Sequence, residues 1–94
     1  GSPDMTLEVV SSSSVQKDTA VLRELYWLAG VREYWLIDAR RGSLSFDILH
    51  HGNRGFVANR KHGGWVTSAV FGSSFQLSVK PDEIGDPEYT LAVR

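Results

Sequence analysis

Tyr34-Trp35-Leu36-Ile37 sets four large apolar residues in unbroken succession between Glu33 and Asp38. A strand with one wet face alternates apolar and polar residues, whereas an unbroken run marks a strand covered on both faces. The segment just before it carries the one clear helical pattern. Val21, Leu22, Leu25, Leu28 and Ala29 recur at helical spacing, so a helix is predicted over about 18–29. Asp18 or Thr19 can cap its start, and Gly30 stands where a left-handed C-terminal residue is needed, letting Val31 fold back onto Leu25 or Tyr26. On this spacing Val21, Leu22, Leu25 and Leu28 face the core and Trp27 points away. Upstream, Thr6-Leu7-Glu8-Val9-Val10 reads as a strand that ends in four serines. Strand, helix and strand make a βαβ unit, so strands 6–10 and 33–38 are expected to lie parallel.

The pattern then changes to an antiparallel meander. Leu44, Phe46 and Ile48 alternate with Ser43, Ser45 and Asp47. Turn signals at Gly52-Asn53-Arg54-Gly55, Gly63-Gly64, Gly72-Ser73-Ser74 and Pro81 to Pro87 separate short strands at about 56–61, 65–71, 75–79 and 89–93. The predicted class is α+β, one helix on a strongly bent, mostly antiparallel sheet. One helix covers only part of such a sheet, and Trp35, Trp65, Phe71 and Phe75 require more. Either the late strands curl into a half-barrel or a second copy completes the core.

Composition bounds the function classes. The 94 residues form one small domain, taken as 3–94 with Gly1 and Ser2 read as an expression remnant. Ten Lys and Arg against eleven Asp and Glu give a net charge of −1, which excludes a broadly basic nucleic-acid coat but not a local basic groove. With no cysteine, disulfide and thiolate-metal scaffolds are excluded and a cytoplasmic setting is expected. No apolar run is long enough to span a membrane.

Pro3-Asp4, Leu7-Glu8-Val9-Val10-Ser11, Ser13, Asp18, Tyr26, Ala29-Gly30-Val31 and Glu33-Tyr34-Trp35-Leu36-Ile37-Asp38 form an ordered series. It resembles the Uma-two family of putative restriction endonucleases, within the PD-(D/E)XK nuclease superfamily. Gly64-Trp65, Ser68, Val70-Phe71-Gly72 and Ser74-Phe75 resemble one branch of that family. The resemblance implies a restriction-endonuclease-like core that hydrolyses DNA. Two strand-borne acidic residues would hold magnesium, which lowers the pKa of the attacking water, and a lysine would stabilise the transition state.

Carried over by position, Glu8 matches the second acidic ligand. Val10 stands where the superfamily lysine would follow. In this family the lysine commonly sits on the next helix four positions before the tyrosine, which here is Leu22. Lys17 and Arg23 are nearby cations, and Lys17 is the candidate for a migrated catalytic lysine. The first acid is expected on a strand preceding residue 3. The chain is therefore expected to be the C-terminal part of a nuclease-like domain, truncated at its N-terminus and inactive alone. Asp4 does not replace that acid. Four strand residues span roughly 13 Å, too far for Asp4 and Glu8 to share an ion.

Each candidate has a plainer reading. Glu8 is otherwise a strand residue facing solvent or paired with Lys17, and Lys17 a solvated residue at a helix start. Ser11 and Ser13 contact phosphate or satisfy loop backbone. Asp38 caps the turn that follows it. His50 and His51 point to opposite faces and do not share a metal; with His62 they are read as surface residues. Arg40, Arg41, Arg54, Arg60 and Lys61 meet DNA phosphate if they converge. The alternative to a nuclease is a non-catalytic homodimeric module, joined through strand 6–10 or the outer face of the helix.

Overall fold

The computed structural model describes residues 4–10, 16–40 and 44–94. Strand β1 (Met5–Val10) is followed by helix α1 (Gln16–Leu28), β2 (Glu33–Asp38), β3 (Ser45–His51) and β4 (Phe56–Ala58). These four strands form one sheet in the order β1-β2-β3-β4. β1 and β2 run parallel, with Met5 beside Glu33 and Val10 beside Asp38, and the remaining pairs are antiparallel.

The late strands do not continue that sheet. β5 (Lys61–His62), β6 (Trp65–Ser68), β7 (Ser73–Pro81) and β8 (Pro87–Val93) form a second antiparallel sheet. The expected single bent sheet is thus divided at Asn59 and Arg60. Asn59 binds both halves: its N–H donates to Ile48 O at 2.8 Å and its side-chain amide to Thr67 O at 2.9 Å. One residue replaces a ladder that the hydrophobic alternation alone would have continued.

The apolar run of β2 is covered on both faces. Trp35 joins Phe46, Ile48, Val66 and Phe75 in a cluster between the two sheets. Tyr34 joins Val31, Leu49 and Phe56 in a second cluster on the α1 side, with Tyr26, Trp27 and Leu36 packed against it. Trp35 meets Phe46, Phe71 and Phe75 edge-on, with ring centroids 4.7–5.7 Å apart, the arrangement favoured by the ring quadrupoles.

The orientation of α1 reverses the expected one. Val21, Leu25 and Leu28 are 53–66% exposed, while Tyr26 and Trp27 pack onto the sheet. The indole N–H of Trp27 donates to Gly52 O at 2.8 Å, and its ring stacks on His51 at 5.1 Å and 8°. A Trp and a Tyr bury more apolar area than small aliphatics, and here the indole N–H also finds an acceptor. The helix ends as expected: Gly30 has φ +79°, and Val31 N–H reaches back to Tyr26 O at 3.1 Å. It begins at Gln16, earlier than the spacing implied, and the residues before it lie outside the described ones.

Glu33 joins the two sheets. It is 1% exposed. Its Oε1 accepts from the Trp35 indole N–H at 2.7 Å and the Ser68 hydroxyl at 2.5 Å, and its Oε2 from the N–H groups of Ala69 and Val70 at 3.0 and 3.3 Å. A buried carboxylate is tolerated only when so paired. The capture of residues 69 and 70 ends β6 at Ser68, short of the predicted 71. Among the described residues, no helix is long and apolar enough to cross a membrane.

Candidate functional site on the helix-facing side of the sheet

Side chains alternate along β1, and the register assigns each face. Thr6, Glu8 and Val10 share the face of Tyr34, Leu36 and Asp38, which is the α1 side. Glu8 is half-buried there, opposite Leu36. Its negative charge acts on the Tyr34 hydroxyl. That hydroxyl is pushed up to about 12, first by burial and then by Glu8, with Arg23 opposing. The Tyr34 hydroxyl is buried without a hydrogen-bond partner among the described residues. Glu8, Tyr34 and Arg23 therefore share one electrostatic neighbourhood beneath α1.

Arg23 lies between two open pockets on this side. One, of about 240 Å³, is bordered by Val10, Thr19, Arg23, Asp38 and Arg40. The other, of about 350 Å³, is bordered by Arg23, Glu24, Trp27, Arg54 and Phe56. The Arg23 guanidinium donates to Phe56 O at 3.0 Å, which ties α1 to β4. Sequence reasoning noted Arg23 only as a nearby cation. Its spacing from Trp27 (i, i+4) is the signal that both lie on one helix face.

The other candidates separate. Asp38 accepts from the backbone and guanidinium of Arg40 at 2.7–3.1 Å. These bonds hold its carboxyl below the usual aspartate range, and they make it the turn-capping residue that its position implies. Asp4 is exposed and pairs with Arg32 at 3.8 Å. Asp47 is two strands from Glu8 in the same row and pairs with Lys61 at 3.2 Å. At about 4.8 Å per strand it stands roughly 10 Å away. His50 and His51 face opposite sides: His50 Nδ1 meets Asn59 Oδ1, and His51 Nε2 meets Trp27 O at 2.9 Å. His62 is exposed. Of the expected basic set, Arg40 and Lys61 pair with acids and Arg54 lines the larger pocket.

Lys17 falls in the first turn of α1, but its side chain lies outside the described residues, as do Ser11, Ser13 and Arg41. Leu22, at the family's lysine position, is half-buried. No group of three or more His, Asp or Glu side chains that could hold a metal occurs among the described residues. Asp4, Asp38 and Asp47 are each engaged instead by a basic side chain, Arg32, Arg40 and Lys61 respectively. The described residues thus do not fit the two-acid magnesium centre that the resemblance implies.

No curated protein and no solved structure matches the chain. The profile of Uma2, described as a putative restriction endonuclease, matches residues 1–80 and so takes in both strands of the parallel pair, α1 and nearly all of β7. With most of its length matched, the chain belongs to the Uma2 family.

Proposed function

We propose that the chain is a nuclease-family domain directed at DNA, in which Glu8 is the acidic residue of the hydrolytic site. The observation that carries this reading is Glu8 itself, a half-buried carboxylate on the strand before α1 within the Uma2 match. Arg23 and Arg54 beside Trp27 supply the surface for a DNA backbone, two guanidinium groups with an aromatic neighbour at one pocket. Lys17, on the first turn of the same helix, is the cation proposed to act with Glu8. Magnesium is the proposed metal, with the first acid of the pair drawn from outside the described residues. No hydrolytic step is assigned to the described residues alone, and this chain by itself is proposed to be inactive. The absence of cysteine agrees with the cytoplasmic setting proposed for it.

Incubation of the purified chain with supercoiled plasmid and magnesium tests this reading. The expected result is no magnesium-dependent cutting, together with salt-sensitive DNA binding that Arg23→Ala or Arg54→Ala weakens. Cutting that Glu8→Ala abolishes would refute the inactivity and retain the nuclease. DNA binding indifferent to both arginines would refute the proposed surface.

A second reading is favoured by a separate observation. Val21, Leu25 and Leu28 on α1, and Leu7, Val9 and Leu91 on the sheets, are about half exposed or more. In this reading the chain is a non-catalytic homodimeric module that keeps the fold. Light scattering is expected to give twice the chain mass; a monomer at high concentration would exclude it.

A further inference from the structure

Helix α1 and the β3–β4 hairpin are fastened to each other at three points. The Arg23 guanidinium donates to Phe56 O at 3.0 Å, the Trp27 indole N–H donates to Gly52 O at 2.8 Å, and His51 Nε2 meets Trp27 O at 2.9 Å. The hairpin turn is closed by Gly52 N–H donating to Gly55 O at 2.8 Å. Glycine is required at 52, where a Cβ would stand 2.7 Å from Gly55 O. Between these fastened walls lies the pocket of about 350 Å³ bordered by Arg23, Glu24, Trp27 and Arg54. Small-ligand sites run from about 300 to 1,000 Å³. Walls held in place before a ligand arrives reduce the ordering cost of binding.

The side chains around this pocket are chemically unlike. Two guanidinium groups stand with one carboxylate, which leaves the pocket locally positive in a chain of net charge −1. Among the described residues, the exposed side chains of Glu24 and Arg54 have no ion-pair or hydrogen-bond partner. They border one pocket without neutralising each other. The indole of Trp27 is stacked on His51 at 5.1 Å, so it is a fixed wall and not a free side chain.

A DNA duplex uses only part of this equipment. Its phosphates reach the arginines, but its bases are stacked inside and their Watson–Crick edges are paired, so the indole and the carboxylate find no partner. An unpaired nucleotide uses all of it. Its phosphate meets the guanidinium groups, its ring stacks on an aromatic, and its Watson–Crick edge is free. The carboxylate selects among bases, because it only accepts hydrogen bonds. Guanine alone offers two adjacent donors, N1–H and N2–H, that match both oxygens of one carboxylate. Adenine and cytosine set one amino donor beside an acceptor, and thymine sets one N–H between two carbonyls.

We propose that this pocket takes a single unpaired nucleotide of a DNA strand, with its phosphate between Arg23 and Arg54, its base on Trp27, and guanine preferred through Glu24. The proposal deepens the DNA-directed reading above and rests on it: the substrate class is DNA with a single-stranded segment.

Fluorescence anisotropy without magnesium tests it on three labelled probes: a short thymidine strand, the same strand with one central guanine, and the blunt duplex of the latter. The guanine strand is expected to bind at least about tenfold tighter than the duplex, as stacking of one base implies. It is expected to bind about tenfold tighter than the thymidine strand, as hydrogen bonds to a charged group imply. Glu24→Ala, at an exposed helix position, is expected to keep the circular dichroism of the parent, to abolish the guanine preference and to leave binding of the thymidine strand intact. Arg54→Ala is expected to weaken both single strands alike and to reduce the salt dependence of binding. Equal affinity for duplex and single strand would overturn the subsite, as would a guanine preference that survives Glu24→Ala. In either case binding that still depends on the arginines would leave the DNA-directed reading standing. No binding to any of the three probes would overturn both.

Discussion

Glu33 shows how much of this fold depends on one buried charge. Four donors converge on its carboxylate, two from side chains and two from backbone. Glu33→Ala leaves all four without their acceptor, and a cost of about 3–5 kcal/mol is expected from the loss of such a network. Against the 5–15 kcal/mol typical of whole domains, urea denaturation followed by Trp fluorescence is expected to show a severely destabilised protein. Glu33→Gln is expected to be milder than the alanine but still destabilising, because its amide NH₂ faces donors where the carboxylate offered an oxygen. A midpoint unchanged by either substitution would show that the network does not hold the sheets together. The sequence placed Glu33 in the right strand but gave no sign of its burial, since Ser68 and Ala69 lie 35 and 36 positions away. Asp38 was legible because its partner is local, two residues on. With its carboxyl held below the ordinary range, Asp38 contributes stability above the unfolded aspartate pKa of about 3.9 and loses it as pH falls through the folded value. Acid unfolding of Asp38→Asn is expected to be less steep below pH 4 than that of the parent. The pair is only half-buried, so a small effect is expected.

At the scale of elements, α1 holds the clearest difference between sequence and structure. Its apolar residues occupy more than one stripe. Val21, Leu25 and Leu28 form a regular aliphatic row, and the aromatic pair Tyr26 and Trp27 lies beside it. Periodicity cannot choose between two apolar stripes. The choice is made by distant partners: Gly52 O for the indole, the His51 ring, and Phe56 O for Arg23. Trp27→Ala is expected to cost about 2 kcal/mol in chemical denaturation, less than a fully buried aromatic because Trp27 is half-buried. Val21→Ser and Leu25→Lys are expected to stay within about 0.5 kcal/mol of the parent. The opposite ranking would restore the orientation that spacing alone suggests. The strand preceding α1 was more readable. A strand has only two faces, so once the β2 register is set, Glu8 must face the helix. What spacing could not reveal was that Asp4, Asp38 and Asp47 each have a basic partner.

For the whole molecule, the two hydrophobic clusters meet back to back through β2 and β3. Trp35, Phe46 and Ile48 serve the inter-sheet side, and Tyr34 and Leu49 the helix side. This explains why the run in β2 does not alternate: each residue has a buried destination. It also sets an order of local stability. β2 and β3 are flanked by strands on both edges and covered on both faces. β8 lies at an edge, its side chains are mostly exposed, and it falls beyond the Uma2 match. Opening β8 uncovers little besides Phe75, which pairs with Val93. Native-state hydrogen exchange is therefore expected to be slowest at the amides of Tyr34 to Ile37 and Ile48 to Leu49, close to the global unfolding limit, and at least tenfold faster across Tyr89 to Val93. Ser74 and Arg94 exchange two backbone hydrogen bonds at 2.8 and 2.9 Å beside the Arg94–Trp65 stack. Protection within β8 is accordingly expected to rise toward this end, where Arg94 is pinned, and to fall toward Pro87. Uniformly slow exchange along β8 would mean that the second sheet unfolds only with the first, and that the inter-sheet cluster, rather than the doubly covered pair β2–β3, sets the cooperativity of the domain.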